Sequence, residues 1–251
     1  MTEGTVTTGG GCRLHYRMDG PPAGPVVVLA GSLGTTLEMW EPQAGRLSSL
    51  ARVLRYDHRG HGGSSAPPGP YAIADLGQDL VDLLDALDVP RAAVCGLSLG
   101  GMVGMWVAAH HPDRAASLVL ACTDAELGPP APWLERAAAV RNRGTASLGP
   151  GLVERWFPAS GRDPAVTTPV VAMLEGCDDD GYASCCEAIA GMDLRPDLAE
   201  VGCPVLVVGG SEDPVVPPKR AVALAAALRA GLLVLPGASH LANLSQPDRF
   251  T

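Results

Sequence analysis

The sequence predicts an α/β fold: a mostly parallel central sheet flanked by helices, with an inserted helical cap. Three observations carry this. The apolar run Val26-Val27-Val28-Leu29-Ala30 lacks polar alternation, as a strand buried on both faces requires. Helical patterns fall between successive runs, which is the order that parallel pairing needs. At the centre, Val94-Cys95-Gly96-Leu97-Ser98-Leu99-Gly100-Gly101 leads from a strand into a helix through Gly-x-Ser-x-Gly.

Taken in order, the chain opens with a hairpin-like stretch around Gly11 to Asp19 and then the strand Val26 to Ala30, set off by Pro21, Pro22, Gly24 and Pro25. Gly31-Ser32-Leu33-Gly34 turns the chain off that strand, and Arg52 to Asp57 forms the next one. A loop of turn formers runs from His58 to Pro70. From Asp75 on, Leu76, Leu80, Leu83, Leu84 and Leu87 recur at spacings of three and four, the mark of an amphipathic helix, and Pro90 closes it. The strand Ala92 to Cys95, a helix from Leu99 to His110 ended by Pro112, and the strand Ser117 to Ala121 follow. Alternation then stops. Helical stretches around Trp133–Arg143, Leu152–Trp156, Pro169–Glu175 and Gly181–Ile189, without a convincing strand, predict a cap over residues 124–200, between core segments 1–123 and 201–251. The pattern resumes with the strand Pro204 to Gly209, an Ala-rich helix from Pro218 to Arg229 and the strand Gly231 to Leu235. Gln246 to Thr251 reads as the opening of a final helix that is incomplete in this sequence.

Composition narrows the partners. The chain has 251 residues, 47% of them hydrophobic, enough to bury a large core. A net charge of -9 without a Lys/Arg cluster argues against nucleic acid or an anionic membrane surface, so an anionic ligand must be held locally. Seven scattered cysteines, no C-x-x-C and no signal-like start predict a cytoplasmic, reduced setting, and no apolar run approaches the roughly 20 residues of a membrane span.

The central pentapeptide is the form of a nucleophile elbow. A serine on so sharp a turn needs small residues two positions either side, and Gly96 and Gly100 supply them. With 31 glycines in the chain the motif alone does not decide the matter. Ser98 also needs a base and an orienting acid, expected in the order Ser, acid, His on loops after later strands. Gly209-Gly210-Ser211-Glu212-Asp213-Pro214 follows one strand and Gly237-Ala238-Ser239-His240 the next. Asp213 and His240 therefore complete a candidate triad with Ser98. Glu212 competes for the acid role, but Pro214 fixes the loop directly after Asp213. An oxyanion would be held by backbone N–H groups: that of Leu99, just after the nucleophile, and that of Leu33, in the loop after the first buried strand. His58 and His61 lie in a glycine-rich loop without a third metal ligand; they, His15, His110 and His111 are given no catalytic role.

The chain resembles the α/β-hydrolase superfamily and, within it, the 3-oxoadipate enol-lactonases. The general likeness is in Gly-Leu-Ser-Leu-Gly-Gly (Gly96–Gly101) and Tyr-Asp-His-Arg-Gly-His-Gly-Gly-Ser (Tyr56–Ser64). The more specific likeness is in Ser32-Leu33-Gly34-Thr35 with Met39-Trp40, in Pro67-Pro68-Gly69-Pro70-Tyr71, in Gly181-Tyr182-Ala183-Ser184-Cys185-Cys186 and in His240-Leu241-Ala242-Asn243. Gly31 departs from it, since the family usually carries Asn there. The resemblance places the acid at Asp213. It implies a serine hydrolase of the α/β-hydrolase fold that needs no metal or organic cofactor and takes a small carboxylate-bearing lactone. Some members are fused to a carboxymuconolactone decarboxylase domain, an arrangement it leaves open for a longer parent.

A substrate carboxylate needs a local cation. Trp133 and Arg136 share one face of a cap helix, with Arg141 and Arg143 beyond; Arg136 is the candidate clamp, and Trp133, Tyr182, Trp156 and Met173 candidate pocket walls. Another carboxylester or carbon–carbon bond hydrolase would use the same triad under a different cap, and a hydrolase-fold ligand receptor would keep it with slow turnover. An Asp-nucleophile dehalogenase or epoxide hydrolase is disfavoured by Ser98.

Overall fold

The computed structural model describes residues 1–251, the side chain of Pro150 excepted. The first two strands, β1 (Thr2–Thr7) and β2 (Arg13–Asp19), form an antiparallel hairpin at one edge. Only the second half of this hairpin is evident in the sequence. β1 is an edge strand whose residues alternate between exposed and half-buried, so it has no apolar run to betray it.

The sheet proper then builds inward. β3 (Val26–Ala30) is followed by the short helix α1 (Glu41–Leu47), then β4 (Arg52–Tyr56), α2 (Ile73–Ala86), β5 (Ala92–Leu97), α3 (Leu99–His110) and β6 (Ala115–Ala121). Four cap helices follow: α4 (Ala131–Arg143), α5 (Gly149–Trp156), α6 (Pro164–Glu175) and α7 (Asp179–Ala190). The sheet resumes with β7 (Val205–Gly210), α8 (Pro218–Leu228) and β8 (Gly231–Leu235), and the chain finishes in two short turns, α9 (Ala242–Ser245) and α10 (Pro247–Phe250). The strand order is β1-β2-β4-β3-β5-β6-β7-β8; β2 meets β4 antiparallel, and every pairing from β4 to β8 is parallel.

This order puts β5 in the interior of the sheet, so the turn that follows it lies between the loops after its neighbours β3 and β6. Burial drives the arrangement. Leu76, Leu80, Leu83 and Leu84 on one face of α2 are essentially fully buried, each contributing roughly 1.5–3 kcal/mol. α3 packs directly on β3, β5 and β6.

Two sets of hydrogen bonds tie the cap to loops at the strand ends. Asp178 caps α7 by accepting from the Gly181 N–H at 2.8 Å, while its own N–H donates to Gly60 O, in the loop after β4, at 3.0 Å. At the other end of the cap, the Leu241 N–H donates to Trp156 O at 3.0 Å and Ser239 Oγ to Arg155 O at 2.9 Å. The His240 loop is therefore held by the end of α5. No helix among the described residues is long and apolar enough to cross a membrane.

Candidate active site

Ser98 has φ 54° and ψ -113°, a conformation that L-residues other than glycine rarely adopt. The surrounding structure over-determines it. Its N–H donates to Ala121 O on β6 at 2.9 Å, and its carbonyl accepts from Thr123 Oγ1 at 2.7 Å and from the Gly101 N–H at 2.9 Å. The flanking glycines are required by space. A Cβ on Gly96 would lie 2.2 Å from Gly100 O, and one on Gly100 2.1 Å from Ala30 O, so α3 can start against β3 only if both positions are bare. The Gly100 N–H then donates to Gly31 O at 2.9 Å, stitching the start of α3 to the loop after β3.

His240 follows β8 and Asp213 follows β7. Their side chains meet in the interior, Nδ1–H of His240 donating to Asp213 Oδ2 at 2.9 Å, with side-chain exposures of 3% and 0%. The second carboxylate oxygen of Asp213 accepts from the Val215 and Val216 N–H groups at 2.8 and 3.0 Å, which fixes its plane. Glu212 contributes its backbone instead: its N–H donates to Ala238 O at 2.9 Å, and its carbonyl accepts from Ser239 Oγ. Ser98 and His240 face one cavity of about 240 Å³. Among the described residues Ser98 Oγ makes no hydrogen bond, and the N–H groups of Leu33 and Leu99 have no acceptor.

The cavity lies between the strand ends and the cap. Ser32 and Leu33 line it from the loop after β3, and Trp133, Arg136, Trp156 and Tyr182 from the cap. Met173 and Arg143 are not among its lining residues, and Arg141 is engaged elsewhere, with Glu187 and Asp180. Three arginines reach the cavity. Arg220 is neutralised by Asp124 and Glu126, and Arg155 is exposed at the rim. Arg136 is half-buried, its guanidinium 4.7 Å from the Trp133 ring centroid, with no carboxylate partner among the described residues. Trp133 is held in turn by Nε1–H donating to Leu127 O at 2.8 Å. Beside Arg136 the Tyr182 hydroxyl is buried without a hydrogen-bond partner; burial pushes its pKa up, against the pull of the arginine. A cationic fork, an unsatisfied hydroxyl and apolar walls make this end of the cavity fit for a small carboxylate.

Two histidines that the sequence gives no catalytic role, His58 and His61, brace the loop after β3. His58 Nε2–H donates to Gly31 O at 3.1 Å, and His61 Nε2 accepts from the Gly34 N–H at 2.9 Å, while His61 Nδ1–H donates to Arg59 O at 2.9 Å. Both rings are buried and therefore neutral. Burial, with His61 nearby, lowers the His58 pKa to about 3, and burial lowers that of His61. No signal in the local sequence pairs them with a loop some 27 residues earlier. No cluster of His, Cys, Asp or Glu suited to a metal ion occurs among the described residues.

Comparison with known proteins agrees with this architecture. Residues 23–251 match the α/β hydrolase family. The chain is 39% identical to 3-oxoadipate enol-lactonase 2 of Acinetobacter baylyi, over 94% of this chain and 90% of that one. The crystal structure of the enol-lactonase from Burkholderia xenovorans LB400 superposes with a TM-score of 0.95 at 42% identity, covering 98% of this chain and 96% of that one. A protein of Caulobacter sp. (strain K31) named "Putative carbamate hydrolase RutD" is 31% identical over the whole of this chain and 95% of its own length. By family match and by relatives of nearly equal length, the chain belongs to the α/β hydrolase family and is a hydrolase.

Proposed function

We propose that the protein opens the lactone ring of 3-oxoadipate enol-lactone to give 3-oxoadipate. One observation carries the substrate assignment: the cavity that holds Ser98 and His240 also holds Arg136, half-buried and without a carboxylate partner, where the substrate's free carboxylate would bind. Relatives named as enol-lactonases at 39% and 33% identity support the same reading.

In this mechanism His240 Nε2 takes the Ser98 proton as Oγ attacks the lactone carbonyl. Asp213, on Nδ1, holds the tautomer that leaves Nε2 free and stabilises the imidazolium that results. The N–H groups of Leu33 and Leu99 receive the developing oxyanion. When the tetrahedral intermediate collapses, the ring C–O bond breaks and the enolate oxygen leaves; the proton on His240 returns to it, and the enol tautomerises to the ketone. His240 then deprotonates a water that attacks the acyl-serine, and collapse frees 3-oxoadipate and restores Ser98. No step calls on a metal or organic cofactor.

The RutD likeness favours a second reading, hydrolysis of a small carbamate by the same serine. The two differ in what Arg136 is for, since a neutral carbamate leaves its charge unanswered. Steady-state kinetics on the enol-lactone, a simple carbamate and neutral aryl esters separate them. The proposal expects kcat/KM for the lactone to exceed the others by roughly 10- to 150-fold, the worth of one charge-assisted contact. A preference for the carbamate or for the neutral esters overturns it.

A further inference from the structure

We propose that His61 is a positioning residue of the oxyanion hole: its neutral imidazole fixes the loop that presents the Leu33 N–H to the reacting carbonyl. The inference rests on the serine-hydrolase reading above and extends it to a side chain outside the cavity.

Three consecutive peptides of this loop are each held by a hydrogen bond. The peptide that carries the Leu33 N–H has its own carbonyl, that of Ser32, held by Thr35 through Oγ1 at 2.8 Å and N–H at 3.2 Å. The preceding peptide is held at Gly31 O, which accepts from His58 Nε2–H and from the Gly100 N–H at the start of α3. The following peptide is held at the Gly34 N–H, whose acceptor is His61 Nε2 at 2.9 Å. Gly34 is the flexible point of this loop, with φ +81°, and a Cβ there would lie 2.8 Å from Leu174 Cδ1. No other acceptor serves its N–H among the described residues. Without His61 that amide is left unpaired in a buried site, and the turn must rotate to satisfy it.

The tautomer gives the interaction its sense. Arg59 O accepts from Nδ1–H, so Nε2 is the lone-pair nitrogen that faces the Gly34 N–H. A charged ring would set N–H against N–H. The ring is 0% exposed and tilted against that of Tyr182 at 6.3 Å, which agrees with an uncharged imidazole locked by packing.

The test compares His61→Ala, His61→Gln and Ser98→Ala on p-nitrophenyl acetate, whose turnover does not depend on the substrate assignment. Melting temperature is recorded with kcat and KM, and each variant is titrated with an aryl trifluoromethyl ketone, which forms an oxyanion on the serine, and with adipate, which does not. His61→Ala should lower kcat about ten- to hundredfold with KM within about threefold, the scale of a displaced oxyanion donor. Ketone affinity should fall in proportion and adipate affinity should stay unchanged. His61→Gln, with Oε1 to accept from the Gly34 N–H and Nε2–H for Arg59 O, should recover kcat to within about fivefold of wild type; it carries the test if the Ala variant does not fold. Unchanged kcat in His61→Ala, equal losses in ketone and adipate affinity, or a folded His61→Gln with less than a fifth of wild-type kcat and weakened ketone binding overturns the proposal. An active Ser98→Ala overturns the underlying hydrolase mechanism instead, so the two failures are distinct.

Discussion

Replacing Arg136 by Ala tests whether the cavity selects a carboxylate. The guanidinium is half-buried, stacked on Trp133 at 4.7 Å and free of any acidic partner among the described residues, so its hydrogen-bonding capacity is available to a ligand. A charge-assisted hydrogen bond contributes about 1.5–3 kcal/mol, or roughly 10- to 150-fold in kcat/KM at about 1.4 kcal/mol per tenfold. The stack on Trp133 is worth only about 0.5–1 kcal/mol and chiefly orients the fork. Arg220 cannot substitute, because Asp124 and Glu126 already engage it. The assay measures kcat/KM of wild type and Arg136→Ala on the enol-lactone and on a neutral lactone of similar size. The loss should fall on KM for the enol-lactone, and the neutral substrate should change by less than about threefold. Equal losses on both would show that Arg136 only packs the cap, and no loss on either would remove it from binding altogether.

Two further predictions concern stability. Arg59 and Asp79 form a buried bidentate pair, Nε–H to Oδ2 at 2.7 Å and Nη2–H to Oδ1 at 2.9 Å, and Thr8 Oγ1 donates to the same carboxylate at 2.9 Å. Asp79→Ala leaves the Arg59 charge uncompensated and should cost about 3–5 kcal/mol in urea unfolding; a loss below about 1 kcal/mol contradicts the pairing. The second is a pH effect. Unfolded histidine takes up its proton near pH 6.5, whereas folded His58 does so only at about 3 and folded His61 also below its ordinary value. The unfolded chain therefore binds more protons in the window below pH 6.5, and stability falls as pH drops through it. His15 has the opposite sense: although burial opposes it, hydrogen bonds to Asp57 and Glu3 raise its pKa, so its contribution is fully present below pH 6.5 and is lost only above. From pH 6 to 5 the unfolding free energy should drop by about 1.2 kcal/mol through His58, with His61 adding in the same direction, and a flat profile there would contradict their neutrality.

What the sequence disclosed followed from local pattern. β3, β5 and β7 were legible as short apolar runs, and α2 through the three-and-four spacing of its leucines. Ser98, Asp213 and His240 stood out because each closely follows such a run, in hydrolase order. α1 was not legible: Glu41-Pro42-Gln43-Ala44-Gly45-Arg46-Leu47 carries proline and glycine and only two apolar residues with any burial. β1 escaped because an edge strand need not be apolar. In the site, the limit was long-range pairing. Nothing around His61 names Gly34 as its partner, and nothing around Arg136 says that it, rather than Arg141, is left without an acid; Glu187 and Asp180, which settle that question, lie on α7 across the cap.

The role of Ser98 as the nucleophile that opens the enol-lactone ring is tested most directly by the loss of enol-lactone absorbance with purified wild type and Ser98→Ala at matched concentration. Wild type should turn the lactone over at many per second, and Ser98→Ala should lose at least about 10⁴-fold in kcat with its melting temperature nearly unchanged, since Ser98 Oγ makes no hydrogen bond among the described residues and alanine keeps the same backbone. Residual activity within about tenfold of wild type in a folded Ser98→Ala protein would contradict the mechanism.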